Sequence, residues 1–152
     1  MNNSLRKIIA IVIIIGNSFC FLGCSDKNGR IIGEWKGTDN RGQIISFVFD
    51  KSNHAFFVKG NEVIGGKDYE LHGHKIEIKY KINYSKNPYW LDFVKYEDGS
   101  SDEILILTGI FRFISDTKIE LRFTNTVHGS DRFTKFDPDD KENTMLLDKV
   151  PQ

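Results

Sequence analysis

The chain has 152 residues, with 21 Lys and Arg against 21 Asp and Glu, so it carries no formal net charge at pH 7. A balanced chain lacks the clustered basic excess that phosphate backbones select, which argues against a nucleic-acid partner. Both cysteines, Cys20 and Cys24, lie near the N terminus, so a disulfide framework or a cysteine metal site cannot be built in the body of the chain.

Residues 1–23 have the layout of a secretory leader. Arg6 and Lys7 precede the uncharged run Ile8–Ile15, and small residues follow up to Gly23. The run falls short of the ~20 apolar residues a membrane-spanning helix needs. An ordinary leader or an uncleaved anchor is the simpler alternative. The segment Leu22-Gly23-Cys24 resembles the bacterial lipoprotein box, with Phe21 standing where that family has Leu. The resemblance implies that the Cys24 thiol takes a diacylglycerol, that cleavage before it exposes an amino group, and that this group is acylated with a chain such as palmitate. Each buried methylene contributes ~0.8 kcal/mol, so two or three chains hold a protein at a bilayer almost permanently. Ser25 follows the cysteine where an Asp would resemble the inner-membrane retention signal, so the analogy implies an outer-membrane location wherever such a membrane exists. Processing leaves 129 residues, enough for one core, and a net charge near −2. With Cys20 removed and Cys24 lipidated, the exported domain has no thiol.

Residues 24–30 are polar after the cysteine and suggest a tether, and 31–150 form the domain. Short apolar or alternating runs broken by turn residues every 8–12 positions predict an all-β barrel or sandwich. Ile31–Thr38 is the first expected strand, and Gln43–Asp50 follows with Ile45, Phe47 and Phe49 on one face. His54–Lys59 and Lys67–His72 are next, with Gly60-Asn61 and Gly65-Gly66 as breaks between them. The clearest is Lys75–Tyr84, in which Ile76, Ile78, Tyr80, Ile82 and Tyr84 alternate with polar residues, a period of two that puts one set inward. Tyr89–Glu97 follows Asn87-Pro88. Glu103–Ile114 is apolar on both faces, which predicts a strand covered on both sides or bent at Gly109. Thr117–Thr124 turns Ile119, Leu121 and Phe123 inward, and Asp131–Phe136 predicts a short strand. Thr144–Val150 fits a last strand better than a helical turn. Eight to ten strands with tight turns pair as antiparallel neighbours, and closing the meander removes exposed edges.

Gly33-Glu34-Trp35 at the start of such a meander resembles the lipocalin signature, in which the Trp closes one end of the barrel under a late Arg. Arg122 and Arg132 are the candidates for that Arg. Further pieces resemble a group of small bacterial lipocalin-like domains: Pro88-Tyr89-Trp90-Leu91-Asp92, Gly109-Ile110-Phe111, Asp116-Thr117, and Arg132 through Phe136 in that order. The Thr-Asp-Tyr motif of animal lipocalins is missing. The resemblance implies an up-and-down barrel and no reaction.

His72-Gly73-His74 has the spacing of a two-histidine metal site on a strand, but Gly73 suits a turn and no third ligand accompanies it. His54 and His128 stand alone. No nucleophile elbow or phosphate-cradling loop occurs, and Asp137-Pro138-Asp139-Asp140 lacks the spacing and closing Glu of a calcium loop. No catalytic residue, metal or cofactor is therefore assigned. The aromatic content is more telling, with 12 Phe, 5 Tyr and 2 Trp. An eight-stranded barrel either fills with side chains or holds one small ligand. Trp35, Phe47, Phe49, Phe56, Tyr80, Phe93, Phe111 and Phe123 are the candidates to line or plug it. The expectations are thus a lipid-anchored envelope protein whose barrel binds a small apolar or amphipathic molecule, or a filled barrel that binds an envelope protein.

Overall fold

The structure, a computed structural model, describes residues 27–124 and 131–151. The leader, Cys24 and His128 lie outside the described residues. A short helix, α1 (Lys27–Ile31), leads into nine strands that form one closed antiparallel barrel in chain order. They are β1 (Gly33–Thr38), β2 (Ile44–Phe49), β3 (Ala55–Lys59), β4 (Glu62–Leu71), β5 (His74–Asn83), β6 (Tyr89–Glu97), β7 (Ile104–Ser115), β8 (Lys118–Phe123) and β9 (Thr144–Lys149). β9 closes the ring by pairing with both β8 and β1, with Trp35 opposite Lys149 and Gly37 opposite Leu147.

A ring in which every neighbour is antiparallel needs an even number of straight segments, and nine strands break that parity. β4 restores it. Its first part, Glu62–Gly65, pairs antiparallel with β3 and its second, from Gly66, pairs antiparallel with β5. Yet β3 and β5 also meet each other in an antiparallel bridge, His54 opposite Lys79. These pairings are compatible only if β4 folds back between its halves. Gly65 and Gly66 make the reversal, with φ of 108° and 86°, values that favour residues without a Cβ. The two glycines that suggested a break between elements are thus the bend inside one strand, and the short strand expected at Lys67–His72 is its second half.

Two further expectations are corrected. Asp131–Phe136 forms no strand; it runs as irregular chain over the outside of the barrel. The presumed tether is shorter than residues 24–30, because Lys27–Ile31 is helical and Ile31 is buried at 1% exposure. Arg30 pairs with Asp116 at 2.8 Å, and Lys149 Nζ donates to the Arg30 carbonyl at 2.9 Å. The barrel therefore has an N-terminal end, made by α1, the turns at 50–54, 84–88 and 116–117, and residues 150–151. The turns at 39–43, 60–61, 72–73 and 98–103 make the opposite end.

The core is the lumen. The inward residues of the predicted alternation are buried where expected: Phe47 and Phe49 on β2, Ile76, Ile78 and Tyr80 on β5, and Ile119, Leu121 and Phe123 on β8. β7 is covered on both faces at its middle, residues 108–111, while Ile104 and Ile114 near its ends are exposed. Phe111 packs in the lumen while Ile110, its outward neighbour, is equally inaccessible, because chain from 131 to 143 lies over that side.

Candidate functional site

The aromatic side chains fill the lumen in mutual contact. Phe93, fully buried, has ring neighbours from three other strands: Phe57 at 4.8 Å between centroids, Phe123 at 5.5 Å, Phe49 at 6.1 Å and Phe47 at 6.4 Å. Phe47 stacks on Phe123 at 5.7 Å, and Phe49 meets Tyr80 edge-on at 5.0 Å. A second group, Tyr84, Tyr89, Phe111 and Phe113, continues the stack toward the N-terminal end. Offset and edge-to-face pairs at these distances add ~0.5–1.5 kcal/mol each to the area they bury. Rings that touch across the lumen leave the middle of the barrel to one another.

Seven of the eight aromatic candidates, Trp35 among them, belong to this interior. Phe56 does not. Phe57 pairs with Phe47 and points into the lumen, so Phe56 projects outward, where its ring lies against Gly66. The run Ala55-Phe56-Phe57-Val58 is apolar at every position, and no alternation in it marks the inner set.

Trp35 is fully buried near the N-terminal end, and neither Arg122 nor Arg132 is the cation over it. Its indole N–H donates to the Ile31 carbonyl at 2.6 Å, and the cation over its ring is Lys149, 5.0 Å from the centroid. Arg122 and Arg132 work on the outside. Arg122 lies 3.8 Å from the Phe133 ring centroid, donates to the Lys135 carbonyl at 2.7 Å, and reaches Asp140 through Nε at 3.2 Å and Nη2 at 2.5 Å. That guanidinium, helped by Asn143, holds the Asp140 carboxyl below the usual carboxylate range. Arg132 stacks 4.5 Å from Trp90 and bonds the Gly109 carbonyl and Asp92. The two arginines strap the 131–143 segment across β6–β8. The acidic run beginning at Asp137 is part of this strap and caps its own turn.

His54 is not isolated. It is 7% exposed, with Nδ1 3.0 Å from Asp50 Oδ2 and Nε2 2.6 Å from Glu77 Oε1. Each ring nitrogen thus faces a carboxylate oxygen. Burial raises the Asp50 carboxyl, but the His54 backbone and ring and the Ser52 amide outweigh it, so the group sits below its ordinary value. Glu77 behaves likewise: burial raises it, and His54 and Lys79 bring it lower overall. The cluster ties the 50–54 turn to β5 at the point where β4 folds back, and Tyr80 Oη adds a bond to the Asp50 carbonyl at 2.9 Å. His72 and His74 flank an exposed turn, His72 at φ 53° and Gly73 at 81°. Among the described residues no group of three His, Cys, Asp or Glu is disposed to hold a metal.

The clefts lie around this filled barrel. A cleft of about 460 Å³ at the N-terminal end is lined by Ile31, Ile32, Tyr80, Ile82 and Tyr84 on one side and Lys51 and Asn53 on the other. A shallower groove of about 710 Å³ runs along the outside of β1–β3 past Ile44 and Val58. Ile44 and Val63 are more than half exposed there, and Leu146, equally exposed on β9, borders them. Cross-strand register makes this a continuous face: Thr38 lies opposite Ile44, Ser46 opposite Val58, Val58 opposite Val63 and Val48 opposite Phe56.

The fold defines a class, the antiparallel meander barrel with a side-chain-filled lumen. No protein family, curated protein or solved structure matches the chain.

Proposed function

We propose that the chain is a lipid-anchored protein of the bacterial cell envelope, related to lipocalin-like domains, whose barrel is a solid, non-catalytic scaffold that binds another envelope protein through its outer face. The observation that carries the scaffold reading is the ring contact across the lumen. Phe47, Phe93 and Phe123 come from three strands and occupy the space a ligand would need. The apolar face of β1–β4, bordered by Glu34, Lys36 and Lys59, then supplies contact area with a polar rim, as interfaces between proteins do. The anchor reading is supported by the leader pattern and by Cys24 standing three residues before α1.

Two measurements test the halves separately. Cys24→Ser is expected to leave an unprocessed precursor, and a variant that matures and stays membrane-bound as before would end the anchor reading. Native mass spectrometry of the mature protein from its own membranes, with Ile44→Asp/Val63→Asp alongside, tests the scaffold. A bound protein lost in the double variant supports it. A small molecule retained by both forms would restore the ligand-binding alternative.

A further inference from the structure

The two ends of the barrel differ in charge and in aromatic content. The turns of the opposite end hold Asp39, Asp98, Asp102 and Glu103 against Arg41; Lys59 engages Asp39 and Lys81 engages Glu103, which leaves Asp98 and Asp102 as that end's exposed acids. At the N-terminal end, Asp116 is engaged by Arg30 and Asp50 by His54. Lys51 and Lys86 remain exposed there. Lys86 lies 4.8 Å from the Trp90 ring centroid, and Tyr84 and Tyr89, half-buried and paired with each other at 5.2 Å, lie at the same end of the barrel. Ile114, half exposed, stands on the same rim, and Ile32 borders the 460 Å³ cleft beside Lys51. Exposed lysines with Trp, Tyr and a few aliphatic side chains at one end match the chemistry of a membrane interface.

The short spacing between Cys24 and α1 strengthens the match. Two residues, Ser25 and Asp26, separate Cys24 from Lys27, and three Cα-to-Cα steps span at most ~10 Å of extended backbone. An acyl anchor on Cys24 would hold this end, and no other, against the headgroups.

We propose that the N-terminal end of the barrel is a docking surface for an anionic phospholipid bilayer, with Lys51 and Lys86 at the phosphates and Trp90, Tyr84 and Ile114 at the headgroup level; this rests on the anchor reading above. Each lysine at such a surface weights the docked orientation by roughly fivefold, and salt screens the effect. The acidic turns at the other end face away, and the outer face of β1–β4 stands upright, open to a partner.

The test uses the mature protein, purified with its lipid and reconstituted into vesicles of phosphatidylcholine alone or mixed with phosphatidylglycerol. The mature sequence offers no other free thiol, so Ser52→Cys and Asn61→Cys place single fluorescent labels at the two ends. In anionic vesicles the label at 52 is expected to be at least fivefold less accessible to an aqueous quencher than the label at 61. Lys51→Glu/Lys86→Glu or 0.5 M salt should abolish the difference. Equal quenching at both ends, or protection at 52 that ignores lipid charge, overturns the docking surface. Mass spectrometry of the Cys24 peptide separates the two readings. An acylated peptide with equal quenching removes the docking surface alone, whereas an unacylated peptide removes both.

Discussion

Phe93→Ala is the sharpest test of whether the lumen is solid. Phe93 is fully buried and touches four other rings, from β2, β3 and β8. Truncation forfeits the transfer energy of the ring and leaves a void that its neighbours, held on separate strands, fill only in part. Such changes in close-packed cores cost ~3–5 kcal/mol. The whole domain has roughly 5–15 kcal/mol to lose, so the variant should fold with its urea midpoint sharply lowered and its denaturant slope unchanged. At this size ~4 °C of melting temperature goes with each kcal/mol, which predicts a fall of roughly 12–20 °C. The void should also bind benzene or xenon, as dry apolar cavities do. If Phe93 instead lined an open, hydrated pocket, its loss would cost under ~1 kcal/mol, and that result would refute the filled-barrel argument.

The Asp50–His54–Glu77 cluster predicts an acid limb to stability. Both carboxyls sit below their ordinary values in the fold, so their contribution is complete above the unfolded carboxylate range of ~4 and is lost as pH falls through the folded values. Asp50→Asn/Glu77→Gln should be less stable than the parent at pH 6, with the two urea curves converging toward pH 3; a constant gap would show that the cluster does not titrate with folding. Gly66→Ala puts a Cβ 2.1 Å from the Phe56 ring at a φ of 86°, and should cost well over the ~1 kcal/mol of left-handed backbone strain alone. Adding Phe56→Ala should recover the steric part, and strictly additive losses in the double-mutant cycle would contradict the contact. Arg122→Met removes the bonds to Asp140 and the Lys135 carbonyl, so limited proteolysis should cut within 133–142 faster than in the parent while the barrel persists.

The parts of this fold that were legible in the sequence share one property, a face in water and a face in the core. Lys75–Tyr84 alternates without exception; its inward Ile76, Ile78 and Tyr80 are buried, and Ile82 and Tyr84 are half-buried at the N-terminal end. Legibility fails where both faces are apolar or where a residue acts at long range. Phe56 and Phe57 could not be told apart because Ala55 and Val58 flank them. Gly65-Gly66 carried the composition of a turn between elements, and only the ring's parity shows why a strand must reverse there. Asp131–Phe136 is expected as a short strand, but its Arg132 and Phe133 pack on Trp90 and Arg122 outside the barrel instead of pairing in the sheet. His54 looked solitary because Glu77 lies 23 residues away, brought near by the β4 fold-back.

That fold-back also explains why the histidine sits where it does. A strand that reverses within a closed ring leaves β3 and β5 in contact only at the vertex, where few ladder bonds bind them. Backbone pairing there is the isolated His54–Lys79 bridge, which includes the Tyr80 amide donating to the Asn53 carbonyl at 2.8 Å. Side chains must supply the remaining hold, and a residue bonding through both ring nitrogens to the turn and to β5 does so across the gap. Replacing His54 by Leu should therefore loosen the barrel locally before it lowers global stability. Hydrogen exchange should quicken first at the Tyr80 and His54 amides, and unchanged protection at both would show that the ladder closes the vertex without the ring.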